Sequence, residues 1–280
     1  MNEQMKKICA VTMVRNDEFF LRKWIEYYGA QFGTENLYVY LDGADQTLPD
    51  DTRGANIIAV DRIAGNVARA DRGRINFLSA RAAELLGRYD LVVGTDVDEF
   101  LVVDPALGES LTSYLSRIEI SPSVSGLGID IGQHLGCETE IDASRPFLEQ
   151  RRFGFLSSRY TKSSVISRAV SWGSGFHRVR NHNFRIDPNL YLFHFGCIDL
   201  KRLEARFGDR DRIDNGWSRH LTKRARTIKI VTETPAEEWA PAVVAARRMQ
   251  TWCRLISAWN KPVMIGRHVV VVPERFRTVL

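Results

Sequence analysis

Three carboxylates directly follow an apolar run in the first half of the chain. The run Leu91–Gly94 and Thr95 lead into Asp96, Asp98 and Glu99. If the run is a buried strand, Asp96 and Asp98 point to the same side, because side chains alternate along an extended backbone. Two carboxylates so placed can share a divalent cation with a polyphosphate, since hard cations prefer oxygen ligands. The segment therefore predicts a metal–nucleotide site at the carboxyl end of a strand.

Acidic pairs at this spacing also arise by chance, because 34 of the 280 residues are acidic. The segments 138–140 and 209–211 contain two further pairs. Asp96 and Asp98 differ from these in following a run that is typical of a buried strand. The alternative interpretation of Asp96 and Asp98 is an acidic turn that caps the strand.

Hydrophobic periodicity predicts an α/β fold. Strands are expected at 7–14, 37–41, 57–60, 89–95, 124–131, 153–156, 163–167, 190–195 and 269–272. Helices are expected at 17–32, 73–87 and 106–118. The initial order β-α-β-β-α-β predicts a mostly parallel sheet with helices on its faces. From about residue 201 the pattern is helical and basic. We therefore expect a catalytic domain over 1–200 and a helical extension over 201–280 that packs on it.

The composition favours a cytoplasmic protein with anionic partners. The net charge of +5 suits a nucleotide diphosphate, a nucleic acid or an anionic membrane surface. The four cysteines are widely spaced, which argues against a zinc ribbon or a disulfide framework and fits a reducing compartment. The short polar start does not resemble a signal peptide, and no apolar stretch is long enough to span a membrane.

Two other classes of nucleotide-binding or nucleic-acid-binding protein fit the sequence less well. A dinucleotide-binding unit needs a glycine-rich G-x-G-x-x-G turn after its first strand, but that position holds Arg15, Asn16, Asp17 and Glu18. A nucleic-acid-binding surface needs exposed aromatic residues among basic ones, whereas most aromatic residues here fall at helix-core spacing. We therefore expect no nucleic-acid partner.

Five segments, in order across roughly residues 8–200, resemble glycosyltransferases of family 2 and family 92. They are V-R-N-D-E with the following F-L-R-K-W-I-E-Y-Y, then Y-V-Y-L-D-G-A-D, D-V-D-E-F-L, K-S-S-V-I and L-F-H-F. The resemblance implies a GT-A-type fold, a nucleotide-sugar donor with UDP as the first expectation, and Mn²⁺ or Mg²⁺. It also implies inverting transfer to a glycan or lipid-linked acceptor, as in polysaccharide biosynthesis.

The sequence departs from the family pattern at two places. Leu41-Asp42-Gly43 stands where an Asp-Asn pair is usual, and 128–132 (G-I-D-I-G) replaces a W-x-x-F segment expected near the acceptor. The alternative function is a sugar nucleotidyltransferase or another metal-dependent nucleotide-binding enzyme. Such an enzyme usually carries a glycine-rich basic loop after strand one, which this chain does not have there.

The metal ligands predicted from the motif and the resemblance are Asp98, His194 and Asp96. Asp98 is the expected direct ligand, and Asp96 is expected to reach the ribose or a metal-bound water. His194 lies late in an aromatic strand, so its alternative is a core histidine. We expect Glu99 to be the weaker member of the motif, bracing the turn.

Residues from several segments are expected to contact the nucleotide. Arg15 ends the first strand, Asp42 ends the second, and Arg74 opens the helix before the acidic motif. Lys162 precedes a strand. His177 lies in a glycine-rich turn, where the backbone can approach a phosphate or a sugar closely, and it is the second candidate for a histidine metal ligand. The predicted set is Thr12, Val14, Arg15, Asp42, Arg74, Asp96, Val97, Lys162 and His177. The alternatives are a surface ion pair for Arg15 and a turn-forming role for Asp42.

Inverting transfer needs a general base that takes the proton of the acceptor hydroxyl. Asp130 is the first candidate, because it ends a strand beyond the acidic motif, and Glu149 is the second. The alternative for Asp130 is an acid that caps a strand.

The tail contains an apolar stripe flanked by arginines. Its members are Ala245, Met249, Trp252, Ile256 and Trp259, with Arg247, Arg248 and Arg254 beside them. Such a stripe packs in a core or docks on an anionic membrane surface. The sequence therefore leaves a peripheral membrane contact open, and it does not indicate an oligomeric state.

Overall fold

The computed structural model describes residues 5–63, 65–207, 218–255 and 258–280. Its first hundred residues alternate strands and helices as predicted. The elements are β1 (Ile8–Val14), α1 (Glu18–Phe32), β2 (Leu37–Asp42), β3 (Asn56–Val60), α2 (Val67–Leu85) and β4 (Leu91–Gly94). These strands pair in parallel in the order β3-β2-β1-β4. Their carboxyl ends therefore lie along one edge of the sheet.

The two faces of this parallel sheet are covered by different helices. Ala10 and Val14 of β1 share one core with Trp24 of α1. Val11 and Met13 point the other way and share a second core with Ile75, Leu78, Ala82 and Leu85 of α2. The alternation along β1 follows from the two-residue period of a strand. Because both faces are covered, β1 is buried throughout its length.

The second part of the sheet is mixed. Its elements are β5 (Glu99–Val103), α3 (Leu111–Arg117), β6 (Ser123–Gly132), α4 (Phe147–Gln150), β7 (Phe153–Leu156), β8 (Val165–Ile166) and β9 (Ile186–Cys197). Strand β8 pairs antiparallel with both β4 and β6 and joins the two parts. Strand β6 then pairs with β7 on one side and runs parallel to β9. Strand β5 pairs antiparallel with β9.

The C-terminal part is mostly helical, but it also completes the sheet. Its elements are α5 (Leu200–Phe207), α6 (Ser218–Glu233), β10 (Ala236–Glu237), α7 (Trp239–Trp252), β11 (Arg254–Leu255), β12 (Ala258–Pro262) and β13 (Val269–Val271). Strand β13 pairs with β7 and β10, so this segment contributes the outer edge of the main sheet. Within the described ranges, no helix has the length and apolar composition needed to cross a bilayer.

The predicted fold class is confirmed: helices flank a mostly parallel central sheet, an arrangement consistent with a GT-A-type fold. Three details differ from the expectation. Helix α2 begins at Val67, six residues earlier than predicted, because the Asn66 side chain caps it by accepting the Arg69 amide. Arg74 therefore lies inside α2 and does not open it. Strand β5 directly follows the acidic motif and was not predicted. Helix α7 ends at Trp252, so the tail stripe does not lie on one helix, and Ile256 falls outside the described residues.

Candidate metal and nucleotide site

Three ionisable side chains form a row across β5, β9 and β6. The strand register sets Glu99 opposite His194 and sets His194 opposite Asp130. Residues directly opposite each other on neighbouring strands project from the same face of a sheet. All three side chains are buried. The fold therefore concentrates two acids and one histidine at a place where none of them meets bulk water.

His194 is held between two acids. Its Nδ1 donates to Asp130 Oδ1 at 2.6 Å, and Asp130 Oδ2 accepts a hydrogen bond from the Thr227 hydroxyl of α6. The other ring nitrogen, Nε2, is buried 3.4 Å from Asp98 Oδ2 and has no hydrogen-bond partner among the described residues. Burial opposes a charge on His194, but Asp98 and Asp130 outweigh it and raise its pKa to about 9. Without a bound cation the Nε2–H therefore faces Asp98, and a metal ion that displaced this proton would find Nε2 and Asp98 Oδ2 side by side.

Asp98, Glu99 and His194 could hold a metal ion. One ligand atom from each lies within 4.8 Å of the others, and all three residues are buried. A metal-bound histidine usually donates its second ring nitrogen to a carboxylate, which fixes the tautomer and the ring orientation. Asp130 supplies that carboxylate here. The residues present therefore fit a divalent cation with mixed oxygen and nitrogen ligands.

Gly196 keeps the space between the ligands open. It follows His194 by two residues in β9, and so it projects from the same face of the strand. A Cβ at this position would lie 2.7 Å from His194 Nε2 and 3.1 Å from Asp98 Oδ2. Only a glycine leaves both ligand atoms accessible to an ion.

Asp96 is paired with two cations. Its Oδ1 accepts from Arg74 at 2.6 Å, and its Oδ2 accepts from Lys162 Nζ at 2.9 Å. Lys162 Nζ also lies 2.5 Å from Glu99 Oε1. Burial would raise the pKa of Asp96, but Arg74 and Lys162 outweigh it and hold that pKa well below its usual range. Asp96 is therefore an anion that binds side chains of the protein itself.

Glu99 and Lys162 form a buried pair beside the candidate ligands. Burial raises the pKa of Glu99 to about 7 against the opposing effect of Lys162, with Asp96 and Asp98 adding to the rise. Burial lowers the pKa of Lys162, but Asp96 and Glu99 outweigh it and raise that pKa above its usual value. We expected Glu99 only to brace the turn. It does accept the Asp96 amide, at 3.5 Å, but it also lies within the cluster itself.

Two aromatic residues of α1 form hydrogen bonds with the chain on either side of the acidic motif 96–99. Trp24 Nε1 donates to Thr95 Oγ1 at 2.9 Å. The Tyr28 hydroxyl accepts the Leu101 amide at 2.8 Å and lies 3.3 Å from the Glu99 carbonyl. These contacts join the end of β4 and the start of β5 to a buried helix. The segment that carries Asp96, Asp98 and Glu99 is thereby held at both ends by buried side chains of α1.

A loop after β7 delivers Tyr160 and Lys162 to the site. This loop crosses β6 at Gly128, where a Cβ would collide with the Tyr160 and Thr161 backbone. The Tyr160 ring stacks on His194 with centroids 3.8 Å apart and planes 14° apart. Gly128 therefore permits the close approach that covers the histidine and places the lysine.

The predicted contacts at the ends of β1 and β2 lie in a separate group. Arg15 donates to the Asp42 carbonyl at 2.7 Å and forms an ion pair with Asp45 at 2.9 Å. Asp42 Oδ1 accepts the Ile63 amide at 2.6 Å. These contacts match the surface ion pair and the turn-forming role that the sequence left open for Arg15 and Asp42. They also leave both residues at the carboxyl edge of the parallel strands.

Four other predicted residues occupy different surroundings. Val14 and Val97 are buried in the core on the α1 side. Thr12 is buried in β1, and its hydroxyl has no hydrogen-bond partner within the described part of the chain. Glu149, the second candidate base, pairs with Arg145 at 2.8 Å on α4.

His177 marks a basic region next to the acidic cluster. Burial lowers the pKa of His177 well below its usual value, and Lys162, Lys261 and Arg159 add to the effect. Burial also lowers the pKa of Lys261, with Arg178 and Arg159 contributing. Arg178 lies beside Lys261 in space, since it is 3.5 Å from the Asn260 amide oxygen. The described carboxylates form no ion pair with Arg159, Arg178 or Lys261. This basic region could therefore accept an anion.

Several site residues were not predicted from sequence. Thr227, Tyr160, Arg159, Arg178 and Lys261 lie outside every recognisable motif, and their placement depends on tertiary contacts. One signal was available: glycines at 128 and 132 flank Asp130 and indicate close approach to that strand.

Several solved structures resemble this chain distantly, and two of them act on mannose-containing substrates. No family model and no curated protein matches the sequence. One match is a mannosyltransferase from Pyrobaculum calidifontis in complex with GDP-Man and Mn²⁺, with 10% identity over 86% of this chain and 79% of that chain and a TM-score of 0.38. Another is a mannose-1-phosphate geranyltransferase from Thermus thermophilus, with 10% identity over 95% of this chain and 74% of that chain and a TM-score of 0.30. At these TM-scores the likeness supports neither a family nor an activity.

Proposed function

We propose that this protein is a metal-dependent glycosyltransferase that transfers a sugar from a nucleotide-diphosphate donor to a glycan or lipid-linked acceptor. One observation carries the proposal. The His194 Nε2 atom is buried, lacks a hydrogen-bond partner among the described residues and lies 3.4 Å from Asp98, beside Glu99 and next to a basic region. A binding site for a cation and an anion side by side suits a metal–diphosphate ligand.

Asp98 and His194 are the proposed direct ligands, with Glu99 as the third candidate. When bound, a divalent cation would neutralise the charge that develops on the leaving diphosphate. Asp96, predicted as a ligand, is proposed instead to hold Arg74 and Lys162 in place, since both of its oxygens are occupied by them. Mn²⁺ is the first expectation for the metal and Mg²⁺ the second.

Positive side chains supply the remaining stabilisation of the leaving group. Lys162 is buried between Asp96 and Glu99, and Arg159, Arg178 and Lys261 lie beyond it around His177, whose lowered pKa keeps that side chain uncharged. In a site shielded from water, fixed positive groups stabilise a developing anion more strongly than they would in solvent. We assign this basic region to the phosphate groups of the donor. A UDP-linked sugar remains the first candidate.

Asp130 is better suited to positioning His194 than to acting as a general base. One of its oxygens accepts from His194 and the other from Thr227, and the side chain is buried. A general base must come within hydrogen-bond reach of the acceptor hydroxyl. We therefore propose that Asp130 orients the histidine and that Thr227 orients Asp130.

A thermal-shift experiment tests the proposed function. We expect UDP or GDP with Mn²⁺ to raise the melting temperature, because a ligand that binds only the native state stabilises it. The shift should be lost in Asp98→Asn and kept in Asp51→Asn, which makes the same change at an exposed site.

Two results would contradict the proposed glycosyltransferase activity. One is stabilisation by nucleoside triphosphates without any effect of nucleoside diphosphates. The other is release of pyrophosphate from a nucleoside triphosphate and a sugar 1-phosphate, which would indicate a nucleotidyltransferase instead.

A further inference from the structure

The segment 239–273 has an unusual charge. It contains Arg247, Arg248, Arg254, Lys261 and Arg267 and no aspartate or glutamate. The net charge of this segment, +5, is therefore as large as the net charge of the whole chain. A long stretch of one sign creates a local positive potential that attracts anionic surfaces.

The outer face of α7 exposes large apolar side chains. Val244 and Trp252 are 64% and 78% exposed, and Arg248 lies between them at helical spacing on the same face. The opposite face packs Trp239 and Val243 into the main core. Helix α7 is therefore anchored to the protein on one side and presents a mixed apolar and basic stripe on the other.

The β11–β12 hairpin and the chain after it extend this exposed surface. Trp259 is 52% exposed, and Lys261 projects from the same side of β12, whereas Asn260 between them is buried and donates to the Val179 carbonyl at 2.7 Å. Ile265 is 67% exposed, and its amide lies 3.3 Å from Met249 Sδ on α7. Two exposed tryptophans and two exposed aliphatic residues thus lie around the end of α7.

We propose that this surface, formed by Val244, Arg248, Trp252, Trp259, Lys261 and Ile265, docks on an anionic phospholipid bilayer. Tryptophan prefers the membrane–water interface, where its ring is partly apolar and its N–H remains hydrated. Basic side chains beside it are attracted to anionic headgroups, and aliphatic side chains insert at the acyl boundary.

Two other occupants fit the surface less well. A second copy would bring two strongly positive surfaces together, which like-charge repulsion opposes. A nucleic acid would use the cations and could stack on the tryptophans, but it would gain nothing from Val244 and Ile265. The bilayer is the partner that uses every component of the surface.

Docking at this surface would bring the basic region close to the bilayer. Lys261 belongs to both, because it lies on the hairpin and interacts with Arg178 and Arg159 beside His177. If the proposed transferase function holds, a lipid-linked acceptor is favoured over a free glycan. The docking itself does not depend on that function.

Vesicle co-sedimentation tests the inference directly. We expect binding to vesicles of phosphatidylcholine mixed with phosphatidylglycerol, and little binding to phosphatidylcholine alone. Trp252→Ser combined with Trp259→Ser should weaken binding by roughly a hundredfold, since each large apolar side chain removed from the interface costs on the order of a factor of ten. The matched control is Ile58→Ser with Leu107→Ser, two exposed apolar residues elsewhere on the molecule.

A second measurement follows the tryptophans themselves. Trp24, Trp172 and Trp239 are buried, and Trp217 falls outside the described residues. In a Trp217→Phe background, quenching by brominated lipids should therefore come from Trp252 and Trp259 and should largely disappear in the double tryptophan variant. Equal binding of the wild type and this variant to anionic vesicles would overturn the proposal. So would a dimer in gel filtration that the variant loses, or binding of duplex DNA without binding of vesicles. If the protein does not bind vesicles but is still stabilised by UDP with Mn²⁺, the docking inference fails and the proposed transferase function stands.

Discussion

His194 lies between two acids of the candidate site, and each of its ring nitrogens faces one of them. Asp130 accepts a hydrogen bond from Nδ1, and Nε2 is directed toward Asp98. The acidic motif made Asp98 a candidate ligand, and the resemblance to the glycosyltransferase families added His194. They could not indicate the partner of Nδ1, since Asp130 becomes a neighbour only when β6 and β9 pair in register.

Thr227→Val tests the role of Asp130 as a positioning residue. The change removes a hydroxyl from Asp130 at nearly constant shape, and Asp130→Asn weakens its bond to the histidine. We expect Mn²⁺ affinity to fall by about 10- to 100-fold in Asp130→Asn and by less in Thr227→Val. Isothermal titration with Mn²⁺ measures both, with Glu149→Gln as the exposed control. Unchanged Mn²⁺ affinity with lost turnover in Asp130→Asn would identify a general base instead.

Lys162→Met tests the buried charge network. The substitution leaves Asp96 and Glu99 close together without the cation they share. We expect the free energy of unfolding at pH 7 to fall by about 3–5 kcal/mol, as for other buried pairs that lose one partner. Urea denaturation measures the change, and Lys201→Met at an exposed pair should cost less than about 1 kcal/mol.

The pH dependence of this deficit gives a further check on Lys162→Met. In the wild type the pKa of Asp96 is depressed, so the stability it contributes is present above its unfolded value and lost at lower pH. The gap between the wild type and Lys162→Met should therefore narrow as the pH falls toward about 3. A gap that is constant between neutral and acid pH would show that Lys162 acts through packing alone.

At the level of the elements, much of the fold followed from periodicity. Nine of the thirteen strands in the described part of the chain were expected, because buried strands produce apolar runs of a recognisable length. The short strands β10, β11 and β12 were not expected. Strand β5 was missed because its first residue belongs to the acidic motif. The mixed pairing in the second part of the sheet was also missed, because a short apolar run does not indicate which strand it pairs with or in which direction. The tail stripe was ambiguous for a similar reason: exposure of Trp252 and Trp259 depends on which side of α7 and β12 faces the core.

Gly128→Ala tests the crossing of the loop over β6. A Cβ there would collide with backbone atoms of Tyr160 and Thr161, so the loop that carries Tyr160 and Lys162 must shift. We expect a loss of stability of about 1–3 kcal/mol from overpacking, together with weaker binding of UDP and Mn²⁺. The control is Gly108→Ala, which meets open space at a φ of 65° and should cost about 1 kcal/mol without affecting the ligand. Equal ligand affinity in Gly128→Ala and the wild type would contradict the role assigned to the loop.

At the level of the whole molecule, the two parts of the chain are joined through the sheet and the site. We expected a catalytic domain over 1–200 and an extension after it. That division stays a prediction, but α6 supplies Thr227 to Asp130, and β13 pairs with β7 and so extends the main sheet. The sequence could not indicate these contacts, because they join residues about 97 or more positions apart. Truncation near residue 200 would therefore remove part of the site.

Asp104 provides a pH-dependent link between the two parts. It follows β5 and pairs with Arg275 near the end of the chain at 2.7 Å. Burial raises the pKa of Asp104, but hydrogen bonds from Arg275 and the Ala106 amide outweigh it and lower the pKa below its usual value. A depressed pKa contributes stability above the unfolded value, and this stability is lost as the pH falls through the folded value. We expect Asp104→Asn to cost about 1 kcal/mol at pH 7 and almost nothing near pH 2, by urea denaturation. An equal cost at both pH values would contradict the link.

The central claim is that one metal ion contacts both His194 and the donor diphosphate. Electron–nuclear double resonance of the protein with Mn²⁺ and UDP measures both contacts in one sample. We expect a nitrogen coupling from a bound imidazole together with phosphorus couplings from UDP. The His194→Gln variant should lose the nitrogen coupling. Phosphorus couplings with no nitrogen coupling in the wild type, or a nitrogen coupling that survives in His194→Gln, would contradict it.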